Sequence, residues 1–91
     1  MANNLFISYD LMAPGQHYDR VTEAIKALGD WAKVHYSLFY VSTSYTSQQA
    51  AEHVWKSMDA NDKLCVIDAA NAHWFNLPND VSQYMQNHWR R

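Results

Sequence analysis

The chain has 91 residues, 48% of them hydrophobic, and its formal net charge is -2. A chain of this length makes one domain with one modest core. The slight acidic excess argues against nucleic-acid binding through phosphate contacts, because proteins that bind in this way usually carry a net positive charge. No apolar run approaches the roughly 20 residues that span a bilayer, and "MANN" does not resemble a signal peptide, so we expect a cytoplasmic protein.

The first half of the chain predicts a strand, a helix and a second extended region. Residues 4–11 form a largely apolar run typical of a central strand, and "APGQ" at 13–16 marks a turn. Residues 16–28 carry apolar side chains at helical spacing, with Gly29 as the stop. The aromatic and β-branched segment 31–44 is long for one strand, which favours two strands joined by a bend near Ser37.

The second half predicts helix, strand and a tail. In segment 46–62, Thr46 and Gln49 have the spacing of a capping box and open a helix that the turn-forming "DAND" at 59–62 ends. Its expected core stripe is Ala51, Val54, Trp55 and Met58. Residues 63–69, "KLCVIDA", read as a buried strand, which makes Cys65 a buried thiol. Segment 71–77 reads as a short strand or a loop, and Pro78 suits the first turn of a last helix. Trp89 either closes the open sheet face or docks on a partner.

This order predicts a ferredoxin-like α+β domain, βαββαβ, with an extra C-terminal helix. One domain then covers residues 1–91, with its core at 4–69 and the tail and helix at 70–91. In that fold the first and last strands are antiparallel neighbours. Asp10 and Asp68 therefore lie at opposite ends of the pair, Asp10 beside Lys63, and cannot form one site within a chain.

Several short motifs resemble the CRISPR-associated Cas-two and VapD-like superfamily, closest to its SinR-like branch of small bacterial or phage proteins. They are "LFISYDL" at the first strand, "KVHYSLFYV" at 33–41 and "DKLCVIDA" at 62–69. The resemblance implies a homodimer in which Asp10 of each chain is catalytic and binds Mg²⁺. It also matches Arg20, Ser37 and Phe39 to nucleic-acid-binding positions. Mg²⁺ prefers oxygen ligands and keeps waters, so one carboxylate per chain suffices.

Two functions remain open at this point. The first is a Mg²⁺-dependent nuclease, either an endoribonuclease or a DNase, that uses Asp10 of both chains. The second is a non-catalytic module that binds a protein partner in phage defence, counter-defence or a toxin–antitoxin pair. Acidic charge and surplus aromatics favour the second, with an interface at Tyr36, Phe39, Trp74 and Phe75. If the protein is a nuclease, Arg20, Lys26 and Lys33 should lie together beside Asp10. A zinc site is not expected, because the histidines lack ligand spacing.

Overall fold

A computed structural model describes residues 3–12 and 18–90, and the turn expected at 13–16 lies outside them. The fold is α+β, with a four-stranded antiparallel sheet and three helices. The elements in chain order are β1 Asn3–Asp10, α1 Tyr18–Lys26, β2 Asp30–His35, β3 Leu38–Thr43, α2 Ser47–Trp55, β4 Lys63–Asp68 and α3 Asn79–His88. None of the described helices is long and apolar enough to cross a membrane.

The strands lie in the order β2-β3-β1-β4, which makes β1 a central strand and leaves β2 and β4 at the edges. The predicted pairing of the first and last strands is confirmed: Ile7 faces Val66, Asp10 faces Lys63 and Leu5 faces Asp68. The bend expected near Ser37 is also confirmed. A tight turn joins β2 to β3 there, and Ser37 has a φ of 61°.

The larger core lies between one sheet face and the helices α1 and α2. Alternate residues of β1 point into it, as the period of a strand requires, and they meet the apolar stripe of α1. Leu5, Ile7, Val21, Ile25 and Val54 are each 0% exposed. The capping box at Thr46 is confirmed, since its hydroxyl accepts from the Gln49 N–H and the Gln49 side chain accepts from the Thr46 N–H.

The second face of the sheet is covered on the β2–β3 side by α3 and the segment before it. Tyr40 and Met85 are 0% exposed there, and Trp89 stacks on Tyr40 with ring centroids 5.6 Å apart and planes 9° apart. The Asn4 carboxamide connects β1 to the segment after α3, because its oxygen accepts a hydrogen bond from the Arg90 N–H at 2.8 Å. Trp89 therefore closes this part of the sheet face.

Three predictions from the sequence are wrong in the part of the chain that runs from α2 to β4. Helix α2 ends at Trp55, and the Trp55 side chain is 42% exposed because the helix buries Ala50 and Val54 instead. Cys65 is exposed, since β4 is an edge strand and α3 does not reach over it. The apolar run in 63–69 thus belongs to a strand with one buried face.

Candidate functional site

Asp10 lies at the end of β1 on the second sheet face, beyond the cover that α3 provides. The strand alternation places exposed side chains of β1 and β4 on this uncovered half of the face. We call this surface the β4 strip; its residues are Ser8, Asp10, Lys63, Cys65 and Ile67. Ile67 is 53% exposed, so the strip includes apolar surface beside a free strand edge.

The Asp10 carboxylate takes part in none of the hydrogen bonds or ion pairs of the described residues, although Lys63 lies directly opposite. Asp68 is five residues farther along β4, opposite Leu5, so the two carboxylates are separated as the sequence predicted. Within residues 3–12 and 18–90, no three acidic, histidine or cysteine side chains are grouped to hold a metal ion. One chain therefore offers Mg²⁺ a single carboxylate at Asp10.

Three tyrosines meet where β1 ends, α1 begins and the β2–β3 turn closes. Burial, with a smaller contribution from Tyr36, raises the pKa of Tyr9. A hydrogen bond to the Tyr36 phenol is the main cause that raises the pKa of Tyr18. The Tyr9 N–H also donates to the Ser37 carbonyl oxygen at 3.2 Å, which ties the turn to β1. With the pKa raised, the Tyr9 and Tyr18 phenols stay protonated at neutral pH and are able to donate hydrogen bonds.

A groove of about 510 Å³ runs from these tyrosines along β2, between α1 and the sheet. We call it the aromatic–lysine groove. Its floor is aromatic, since Phe39 stacks on Tyr9 at 6.3 Å and contacts Trp31 at 5.9 Å between ring centroids. The Lys26 ammonium lies 4.5 Å from the centre of the Trp31 ring, a cation–π contact. The exposed Lys33 lines the same groove.

The residues expected to bind nucleic acid are only partly brought together. Ser37 and Phe39 both line the aromatic–lysine groove, whereas Arg20 lies on the exposed surface of α1 and does not line it. Phe39 is 2% exposed, so its ring packs in the core and offers no free face to a base or a partner chain. Lys26 and Lys33 do share one groove, but neither Asp10 nor Arg20 lines it.

The residues expected at a partner interface fall on two separate surfaces. Tyr36 is 77% exposed at the mouth of the aromatic–lysine groove. Trp74 and Phe75 instead line a cavity of about 580 Å³ between segment 71–77 and one face of α3. We call this the C-terminal cavity; the side of α3 that lines it carries Asn79, Ser82, Gln86 and Trp89. Phe75 is 83% exposed at this cavity.

Sequence reasoning missed the groove because its members come from four separate elements. Trp31 and Lys33 are two positions apart on β2, and side chains two positions apart on a strand point to the same face of the sheet. The sequence pattern therefore does indicate that these two side chains share a face. Lys26 and Tyr18 join them only through the packing of α1 against the sheet, which no local pattern shows.

No family model matches the chain, and no curated protein and no solved structure is significantly similar to it.

Proposed function

We propose that the protein is a cytoplasmic homodimer of the ferredoxin-like fold, related to the Cas-two and VapD-like superfamily. In this proposal it is a non-catalytic module that binds a protein partner in phage defence, counter-defence or a toxin–antitoxin pair. The strand order β2-β3-β1-β4 and the antiparallel β1–β4 register support the fold. The single observation that carries the dimer, and with it the non-catalytic role, is the β4 edge of the sheet beside the exposed Ile67.

The hydrogen-bonding groups of β4 show how a second copy would pair. The Ala69 N–H donates to the Asn4 carbonyl oxygen at 2.8 Å, and in an antiparallel pair the bonded residues alternate. Lys63, Cys65 and Ile67 therefore direct their backbone groups to β1. Leu64, Val66 and Asp68 direct theirs outward, where no strand among residues 3–12 and 18–90 pairs with them. Antiparallel pairing of two such edges satisfies these groups and brings the basic start of each strand towards the acidic end of the other.

Pairing through the edge keeps the two Asp10 carboxylates apart. Two β1 strands would be separated by three interstrand spacings, about 14 Å. Carboxylates that share one Mg²⁺ place their oxygens about 4 Å apart, since each Mg–O distance is about 2.1 Å. A dimer of this kind has no shared metal at Asp10, in keeping with a non-catalytic role.

The aromatic–lysine groove suits the protein partner. Trp31 and Tyr36 are 37% and 77% exposed, and tyrosine and tryptophan are enriched at energetically important interface positions. Lys33 lies between Trp31 and Tyr36 in the sequence; it is exposed and forms no ion pair with another described residue. An acidic segment of a partner would find rings to pack on and a charge to neutralise.

The oligomeric state tests the dimer. We expect light scattering to give twice the mass of one chain for the wild type, and one chain mass for Ile67→Lys, whose charge faces Lys63 of the other copy. Trp55→Lys, a matched control at an exposed apolar residue of α2, should stay dimeric. A monomeric wild type, or an Ile67→Lys protein that remains dimeric, contradicts edge pairing.

A photo-crosslinking residue in place of Tyr36 tests the partner groove. Crosslinks to an acidic segment of one partner should form from position 36, and should be absent from the control position Tyr45, which is 37% exposed elsewhere. Crosslinks from position 36 only to a second copy of the chain would contradict this assignment.

The Mg²⁺-dependent nuclease stays a second candidate because the Asp10 side chain is exposed on the β4 strip. Two strips packed face to face would allow the carboxylates to meet and hold Mg²⁺. Metal-bound water is the nucleophile that such a site would supply. In an Asp10→Cys, Cys65→Ser protein, oxidative crosslinking through position 10 and loss of Mg²⁺-dependent RNA or DNA cleavage would favour this candidate. Retained cleavage in Asp10→Ala would exclude it.

A further inference from the structure

The C-terminal cavity is polar without being lined by acidic side chains, lysine or arginine. Its polar groups are four carboxamides, one hydroxyl and one imidazole, belonging to Asn71, Asn76, Asn79, Gln86, Ser82 and His73. No Asp, Glu, Lys or Arg of the described chain lines it, although such residues make up 18% of the sequence. A charged ligand would lose water there without gaining a counter-charge, so the cavity selects a neutral one.

The four carboxamides have unused hydrogen-bonding capacity. None of them bonds to another group of residues 3–12 or 18–90. Carboxamides elsewhere in the chain are used differently: Asn3 donates to the Tyr45 carbonyl oxygen, and Asn4 holds Arg90. Each carboxamide offers two donor hydrogens and an acceptor oxygen, so a cluster of four can match groups that both donate and accept.

Aromatic rings form the apolar part of the cavity wall. The Trp74 indole N–H donates to the Ser82 Oγ at 2.9 Å, which fixes the ring against α3. Phe75 contacts the His73 ring edge to face, at 4.9 Å, and is otherwise exposed. Asn76 follows with a φ of 63° at a bend of the chain, and Leu77 packs inward while Phe75 remains outside.

We propose that the C-terminal cavity binds a neutral saccharide. A sugar ring carries adjacent hydroxyls that donate and accept, which the carboxamides can match in pairs. It also has a face of C–H groups, which packs on aromatic rings. The volume of about 580 Å³ falls in the range of small-ligand sites, roughly 300–1,000 Å³.

The composition of the wall favours a saccharide over a neutral peptide. More of the lining is polar than apolar, whereas the centre of a protein interface is mostly apolar. This site is separate from the β4 edge and from the aromatic–lysine groove, so it does not depend on the proposed function above.

The four tryptophans give a direct readout, because each indole N–H has its own NMR signal. We would titrate the full chain with maltotriose, cellotriose and N,N′,N″-triacetylchitotriose at millimolar concentration. The signals of Trp74 and Trp89, which line the cavity, should shift saturably with at least one sugar. Those of Trp31 and Trp55, which do not line it, should stay in place. The absence of shifts with all three sugars, or equal shifts at all four tryptophans, overturns the proposal.

Paired variants separate the cavity from the helix that carries it. Gln86→Ala removes one lining carboxamide and should weaken the sugar that binds roughly five- to tenfold, the effect of about one hydrogen bond. Gln83→Ala, on the same helix but outside the cavity, should leave affinity unchanged. Asn- and Gln-rich peptides and an acidic trisaccharide should not shift Trp74 or Trp89. The assignment is overturned if a peptide or the acidic trisaccharide binds more tightly than the neutral sugar. It is also overturned if Gln86→Ala and Gln83→Ala lose sugar affinity equally.

Discussion

Asp10 and Lys63 face each other across the β1–β4 pair, yet their side chains form no ion pair. Both are exposed, and opposite charges across a strand pair contribute little in water. We therefore expect Asp10→Asn to change the free energy of unfolding by less than about 1 kcal/mol. Urea denaturation measures this. A larger loss would mean that Asp10 stabilises the folded protein. Reduced cleavage by an Asp10 variant would then reflect its lower stability and not a lost catalytic group.

Trp89 closes the second sheet face, so its removal should destabilise the protein far more than removal of another tryptophan. Its ring stacks on Tyr40 and contacts Phe6 at 6.0 Å between centroids. We expect Trp89→Ala to lower the free energy of unfolding by about 2–4 kcal/mol. Trp55→Ala, at a residue 42% exposed, should cost less than about 1 kcal/mol. Similar losses in denaturant titrations of the two variants would contradict this account.

Much of the fold could be predicted because its local signals agree with its packing. The capping box, the turn at Ser37 and the β1–β4 register all follow from spacing in the sequence. The extent of the cover over the second face could not be predicted. A continuous apolar run such as 63–69 looks the same whether one or two faces are buried. The position of α3 decides that, and with it the exposure of Cys65.

The candidate surfaces were less accessible to sequence reasoning than the fold. Asp10 was placed correctly through strand register alone. The aromatic–lysine groove joins residues from β1, α1, β2, β3 and the β2–β3 turn, and most of these become neighbours only in the folded chain. Exposed Phe75 was singled out by its aromatic character, but the uncharged cavity beside it depends on the helical spacing of Asn79, Ser82 and Gln86.

Asn4 should be among the least replaceable polar residues, because it is 3% exposed and bonds to two other elements. Its Oδ1 accepts from the Arg90 N–H and lies 2.9 Å from the Tyr40 hydroxyl. Asn4→Ala removes the acceptor of the Arg90 N–H, whereas the Tyr40 hydroxyl keeps the His88 carbonyl oxygen at 3.1 Å, and we expect a loss of about 1–3 kcal/mol. Tyr40→Phe should cost about 1 kcal/mol, and the double variant should cost less than the sum. Strict additivity in a double-mutant cycle would show that the two side chains do not interact.

Gly29 is required for the close packing of the segment after α1 against β3. A Cβ at this position would lie 2.4 Å from the Ser42 carbonyl oxygen and 3.2 Å from the Thr43 Cβ. The first contact is with backbone of β3, which cannot move aside without disturbing the sheet. We expect Gly29→Ala to reduce the free energy of unfolding by about 1–3 kcal/mol. Ala27→Ser, at a nearby exposed position, should have little effect on the free energy of unfolding. Equal stability of the two variants would show that β3 can shift to make room for the added Cβ at position 29.

Stability should decline at alkaline pH because two buried phenols are held neutral by the fold. Burial is the main cause that raises the pKa of Tyr40 and of Tyr9 above the usual 10.0. The unfolded chain therefore loses these protons first, so the stabilisation is complete below pH 10 and is lost as pH rises through the folded-state pKa. Tyr40→Phe should flatten the fall in unfolding free energy above about pH 10. Parallel profiles for the wild type and this variant, measured by urea denaturation between neutral and alkaline pH, would show that Tyr40 does not contribute.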